Sequence, residues 1–114
     1  MVSQKVRRVI MFLGNPSFKE ERGDNMTVIK FDESVEVDDK KYEKFYEFLL
    51  KEGFHAINGF ENQVSNYINY KSWVGGDEFE DDNGVRLMVY YTRVTTSGKT
   101  SYFIKKVSLE EVSK

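Results

Sequence analysis

The chain has 114 residues, of which 39% are hydrophobic and 32% charged, with 17 Lys/Arg against 19 Asp/Glu and a formal net charge of −2. That length holds one domain, 1–114, and the 17 aromatic residues can fill its core, so a two-domain enzyme, a disordered chain and a membrane-spanning class are all excluded. Zero cysteines remove disulfides, thiol catalysis and Cys-containing zinc sites, and a lone histidine, His55, removes any two-histidine metal site.

Two arginines precede the apolar run Val9-Ile10-Met11-Phe12-Leu13. The run is too short for a membrane helix, polar residues follow at once and no cleavage site is present, so residues 6–13 read as a buried strand and the protein as cytoplasmic. Asn25-Met26-Thr27 has the form of a glycosylation sequon and Arg22-Gly23-Asp24 that of an integrin ligand, but both need an extracellular setting. The codons available to Glu20 through Asp24 can spell a bacterial ribosome-binding site ahead of Met26. Residues 1–25 are therefore either an alternative-start extension or, as the apolar run favours, part of the fold.

Residues 26–31 alternate with β-branched side chains and predict a second strand, reached through a polar loop that contains the only proline, Pro16. Residues 32–37 read as a polar connection. From Asp38 the period changes. Tyr42, Phe45, Tyr46, Phe48 and Leu49 recur at helical spacing, Asp38 or Asp39 can cap the first turn, and Gly53-Phe54 fits a Schellman ending. Asn58 with Glu61 has the form of a capping box, so a second helix is expected with Phe60, Val64, Tyr67, Ile68 and Val74 inward, stopped by Gly75-Gly76. Asp77 to Asp82 reads as an acidic loop, and Asn83-Gly84 as a turn into a long strand from Val85. Ser97-Gly98 reverses the chain, with Tyr91 expected opposite Ile104 and Arg93 opposite Tyr102, before the last residues, 110–114, fray.

The expected fold class is α+β, a mostly antiparallel sheet in the order β-β-α-α-β-β with two helices on one face. A winged helix-turn-helix is the alternative, in which Asn62, Gln63, Asn66, Asn69, Tyr70 and Lys71 would meet DNA.

Charge is distributed unevenly: residues 1–31 carry +3, residues 32–84 carry −9 and residues 85–114 carry +4. The acidic middle supplies the first set of candidate partner-binding residues: Asp77, Glu78, Glu80, Asp81, Asp82, Glu43 and Glu47. Carboxylates at intervals can imitate a phosphate backbone and occupy a basic groove on another protein. The basic end supplies the second set, for nucleic acid: Arg86, Arg93, Lys99, Lys105 and Lys106 interleaved with Tyr90 and Tyr102, cations for phosphates and rings for bases. Against the second set stands a sequence pI of about 5.5. Glu78, Glu80, Asp82 and Asn83 offer oxygen ligands to calcium, but the spacing fails the EF-hand pattern.

No phosphate loop, dinucleotide fingerprint or nucleophile elbow occurs, and no metal or cofactor is called for. The sequence thus reads as a small non-enzymatic protein-binding module. It fits in kind the phage- or plasmid-encoded inhibitors, anti-CRISPR or other counter-defence proteins, that turn an acidic surface on a basic host protein such as a nuclease. Its alternative is a nucleic-acid-binding domain, winged-helix-like or sheet-based, using the C-terminal hairpin.

Overall fold

The computed structural model describes residues 4–15 and 17–111. The elements are α1 (Gln4–Leu13), β1 (Phe18–Gly23), β2 (Met26–Asp38), α2 (Asp39–Lys51), β3 (His55–Tyr67), β4 (Tyr70–Glu80), β5 (Arg86–Thr96) and β6 (Lys99–Glu110). The six strands form one sheet in the order β1-β2-β6-β5-β4-β3, antiparallel at every pairing. Neither the β-β-α-α-β-β order nor the winged helix-turn-helix fits this arrangement. No helix among the described residues is long and apolar enough to cross a membrane.

Several local readings are corrected. Residues 6–13 form α1 rather than a strand: Val6, Val9, Ile10 and Leu13 are buried while Arg7, Arg8 and Met11 are exposed, a helical period that β-branched composition obscured. The polar connection at 32–37 is the second half of β2, which bends at an irregularity between Lys30 and Val35 and then buries Val35 and Val37. The second helix at 58–74 does not exist. That stretch lies in the hairpin of β3 and β4, and it contains no alanine, leucine or methionine while it is rich in Asn and aromatic residues. Consequently residues 77–80 of the expected acidic loop lie in β4. The expected polar loop between residues 13 and 26 holds a strand, β1, and the expected fraying at 110–114 does not reach Glu110, which ends β6, or Glu111, whose N–H donates to the Asn25 carbonyl at 2.8 Å; Pro16 and 112–114 fall outside the described residues.

The remaining local readings stand on their geometry. Asp38 caps α2, its carboxylate accepting from the Lys41 backbone N–H at 2.7 Å. At the other end Gly53 has φ +93°, its N–H and that of Phe54 bond back to Leu50 and Leu49, and Phe54 is buried, which is a Schellman closure. Ser97 and Gly98 both take positive φ, the requirement of a type I′ turn, and the register puts Tyr91 opposite Ile104 and Arg93 opposite Tyr102.

One face of the sheet carries the core. Ile29, Val35 and Val37 of β2, Ile104, Val107 and Leu109 of β6, Leu87 and Val89 of β5 and Phe79 of β4 meet Val6, Val9, Ile10 and Leu13 of α1 and Phe45 and Leu49 of α2. Phe12 stacks on Phe48 with ring centroids 5.2 Å apart and so joins the two helices. The opposite face, with Val28, Lys30, Lys106, Met88, Tyr90 and Phe60, carries no helix. β3 supplies no buried residue, so the β3–β4 hairpin is an arm at one side of a molecule measuring 50 × 27 × 21 Å.

Candidate functional site

The acidic candidates are distributed over several parts of the surface. Asp77 lies on the helix-bearing face, where its carboxylate accepts the Tyr42 hydroxyl at 2.7 Å. Glu78 and Glu80 alternate onto the helix-free face beside Met88 and Arg86, and Glu80 is paired with Arg86 at 3.1 Å. Asp81 is buried and takes the backbone N–H groups of Asn83 and Val85, each at 2.9 Å, so it closes the β4–β5 turn. Asp82 is exposed in that turn, and Glu43 and Glu47 are exposed on α2. Among the described residues, no group of three or more His, Asp or Glu is gathered as a metal ion would require. Removal of the Asp81 carboxylate leaves two turn N–H groups without their acceptor. Asp81→Ala is expected to lower stability by about 1–2 kcal/mol, read from the denaturant midpoint.

The basic candidates divide between the two faces. Arg86, Tyr90 and Lys106 share the helix-free face, with the Lys106 ammonium 5.0 Å from the Tyr90 ring centroid. Arg93 and Tyr102 are on the other face, Arg93 held by Glu61 and Tyr102 stacked on Tyr42 at 4.1 Å. Lys99 is exposed at the start of β6, and Lys105 is exposed where β5 and β6 slip by one residue.

The network that ties the arm to the body was not among the sequence expectations. From β5, the Tyr91 hydroxyl donates to Glu61 of β3 at 3.0 Å, and Arg93 grips the same carboxylate through Nε at 2.9 Å and an η-nitrogen at 2.6 Å. Both reach across β4. Gly75 makes this possible for Tyr91, because a Cβ there would sit 2.4 Å from the Phe60 carbonyl oxygen and 3.1 Å from the Tyr91 hydroxyl. On the far face a Cβ at Gly76 would meet the Phe60 ring at 3.0 Å and Met88 at 3.3 Å. The glycine pair that looked like a helix stop is thus a bare stretch of strand over which neighbours reach on both faces. Arg93 also lies 3.8 Å from the Trp73 ring centroid.

The electrostatics of this network favour a charged Glu61 and protonated tyrosines. Arg93's hydrogen bonds hold the Glu61 carboxyl below its ordinary range against the opposing effect of desolvation, with a further lowering from the Tyr91 hydroxyl. Burial pushes the Tyr42 hydroxyl far above the ordinary tyrosine value, and the Asp77 charge and hydrogen bond push it further. Burial also raises Tyr91 and Tyr102.

Above the network, on the helix-free side, Phe60, Val74, Tyr90, Thr92 and Lys105 border a shallow depression of about 330 Å³ that extends to Gly75 and Tyr91. Further along the arm Tyr67 is 70% exposed and Ile68, at its tip, 96%. Of the eleven large hydrophobic side chains that are exposed among the described residues, seven belong to the arm: Ile57, Phe60, Val64, Tyr67, Ile68, Tyr70 and Val74. A single apolar residue in water is ordinary, but this concentration on one hairpin is not.

No protein-family model matches the chain, and no curated protein does. Among solved structures it is similar to ORF14 from Sulfolobus islandicus filamentous virus, at a TM-score of 0.44 and 12% identity, over 96% of this chain and 88% of that one. Likeness at that level leaves both the fold and the function to be argued from this chain's own residues.

Proposed function

We propose that the protein is a non-enzymatic module that binds another protein through the β3–β4 arm. The observation that carries this reading is the concentration of exposed apolar side chains on the arm, on a hairpin held rigidly by the Glu61–Arg93 and Glu61–Tyr91 bonds. Contiguous exposed apolar surface marks interaction sites, and a surface held in one geometry before binding loses less entropy on association. The narrower form, a phage- or plasmid-encoded inhibitor that offers carboxylates to a basic host protein, would rest on the exposed Glu43, Glu47 and Asp82, which lie off the arm, and on the half-buried Glu78 of β4. It has less support, since Asp77, Glu80 and Asp81 are engaged within the fold.

The test compares two variants with the wild type as immobilised bait in extract from the producing cells and from any host cells. Tyr67→Ser/Ile68→Ser/Tyr70→Ser is expected to keep the wild-type circular dichroism and melting temperature and to lose the captured protein by roughly tenfold or more, as removal of aromatic anchors does. Glu43→Lys/Glu47→Lys/Glu78→Lys/Asp82→Lys is expected to retain it. The opposite pattern would move the site to the acidic surface. Salt-dependent binding of short single-stranded DNA or RNA, abolished by Arg86→Glu/Lys106→Glu, would replace this reading with nucleic-acid recognition on the helix-free face.

A further inference from the structure

The two edges of the sheet differ in the way that matters for association. β1 is six residues long and four of them are charged, Lys19, Glu20, Glu21 and Arg22, with Glu21 bridged to Lys30 at 3.2 Å. Short, charged edges resist the addition of another strand. β3, at the other edge, is 13 residues long and holds neither proline, lysine nor arginine. Its one carboxylate, Glu61, is turned inward to Arg93 and Tyr91.

We infer that the outer edge of β3 pairs with the same edge of a second copy, antiparallel about a two-fold axis at Phe60, so that one sheet runs on through both molecules. The inference rests on the reading of the arm as an interaction surface and names the occupant of its edge. An edge that meets itself must tolerate its own charge, and the single carboxylate of this one is already paired with Arg93. The register follows from geometry. Irregularities between Ala56 and Asn58 and between Gln63 and Ser65 bracket a straight run from Asn58 to Gln63. A two-fold axis normal to the sheet keeps each face matched, so residues on the same face must oppose one another. Within the run, two such registers give five pairs. One sets Glu61 against Glu61, which like charge disfavours. The other sets Phe60 against Phe60, Asn58 against Asn62 and Gly59 against Glu61, an aromatic pair flanked by amides. Ile57 and Val64, the exposed apolar residues at the two irregularities, then border the seam.

Sedimentation equilibrium over a concentration series is expected to show a monomer–dimer equilibrium for the wild type. Asn58→Lys/Asn62→Lys brings lysines face to face twice and is expected to weaken the dimer roughly tenfold or more with an unchanged circular dichroism spectrum. Because the chain has no cysteine, covalent trapping is a second readout that does not depend on that variant folding. Phe60→Cys places two thiols at a cross-strand separation a disulfide can span, and Asn58→Cys/Asn62→Cys does so without removing the ring over Gly76. Both are expected to oxidise to dimers faster than Lys19→Cys on the opposite edge. A wild type that stays monomeric at every concentration overturns the inference, as does a dimer that survives the lysine pair and is trapped no faster through β3 than through β1. Either result leaves the protein-binding reading to its own test, because Tyr67, Ile68 and Tyr70 lie outside the paired run.

Discussion

A chain that begins at Met26 is expected to lose its cooperative fold. Val6, Val9, Ile10 and Leu13 of α1 are each at most 3% exposed and pack in the single core of the molecule. Burying one aliphatic side chain is worth about 1.5–3 kcal/mol, so the four together contribute about 6–12 kcal/mol. Because the unfolded chain already buries some of that surface, the true figure lies toward the lower end. A domain of this size has a total stability of about 5–15 kcal/mol, and losing α1 also strips Phe12 from the face of Phe48. Thermal unfolding of the 26–114 chain should show no sharp transition, and a hydrophobic dye should bind it. A cooperative melt with the wild-type near-ultraviolet spectrum would show that α1 is dispensable. The expectation bears on translation too, since a product initiated at Met26 would lack one of the two helices that cover the core.

Alkaline pH should destabilise the protein more steeply than its ordinary surface groups would. Tyr42 is 6% exposed, and its hydroxyl is held protonated by burial first and by Asp77 second. In the unfolded chain a tyrosine gives up its proton near pH 10. A folded pKa raised above that value contributes stability that is complete below about pH 10 and declines as pH rises, because the unfolded state then binds fewer protons. The slope from Tyr42 alone rises toward about 1.4 kcal/mol per pH unit above pH 10, so about 2.3 kcal/mol is lost between pH 10 and 12. Tyr91 and Tyr102 shift in the same direction and steepen the decline. Denaturant midpoints from pH 8 to 12 measure it, and the part of the tyrosinate absorbance that Tyr42→Phe removes should rise with unfolding rather than before it. In Tyr42→Phe the starting stability falls, since Asp77 loses its donor, but the alkaline slope should flatten. A midpoint constant to pH 12 in the wild type would contradict the burial of this hydroxyl. At the acid end Glu61 acts in the opposite sense: its lowered pKa gives stability that is lost as pH falls through its folded value, modestly, because the side chain stays partly in water.

The candidate site was legible only in part. Tyr90 and Lys106 do meet, but only because β5 and β6 slip by one residue between Tyr90 and Tyr91; unbroken alternation from the expected register sets Lys105 opposite Tyr90. Asp77 to Asp82, adjacent in sequence, were expected to act as one acidic surface, but a strand sends alternate residues to opposite faces and the turn draws Asp81 inside. The bracing of the arm joins Tyr42 to Asp77 and Glu61 to Tyr91 and Arg93, contacts between residues 30 to 35 positions apart. No local spacing encodes them. The one available signal was Gly75-Gly76 in a segment rich in β-forming residues, which marks a strand that neighbours cross as readily as a helix end.

By itself the sequence determined α2 with both its caps and the β5–β6 hairpin with its register from the turn to Tyr91, because those elements bury one face against the core and close with residues whose backbone preferences leave little choice. The tertiary structure alone decided the rest. Residues 6–13 are apolar at positions that suit either a helix or a strand, and packing against Phe45 and Phe48 selects the helix. β3 buries no side chain on either face, so no period of burial is written into its sequence, and the pairing with β4 is what makes it a strand.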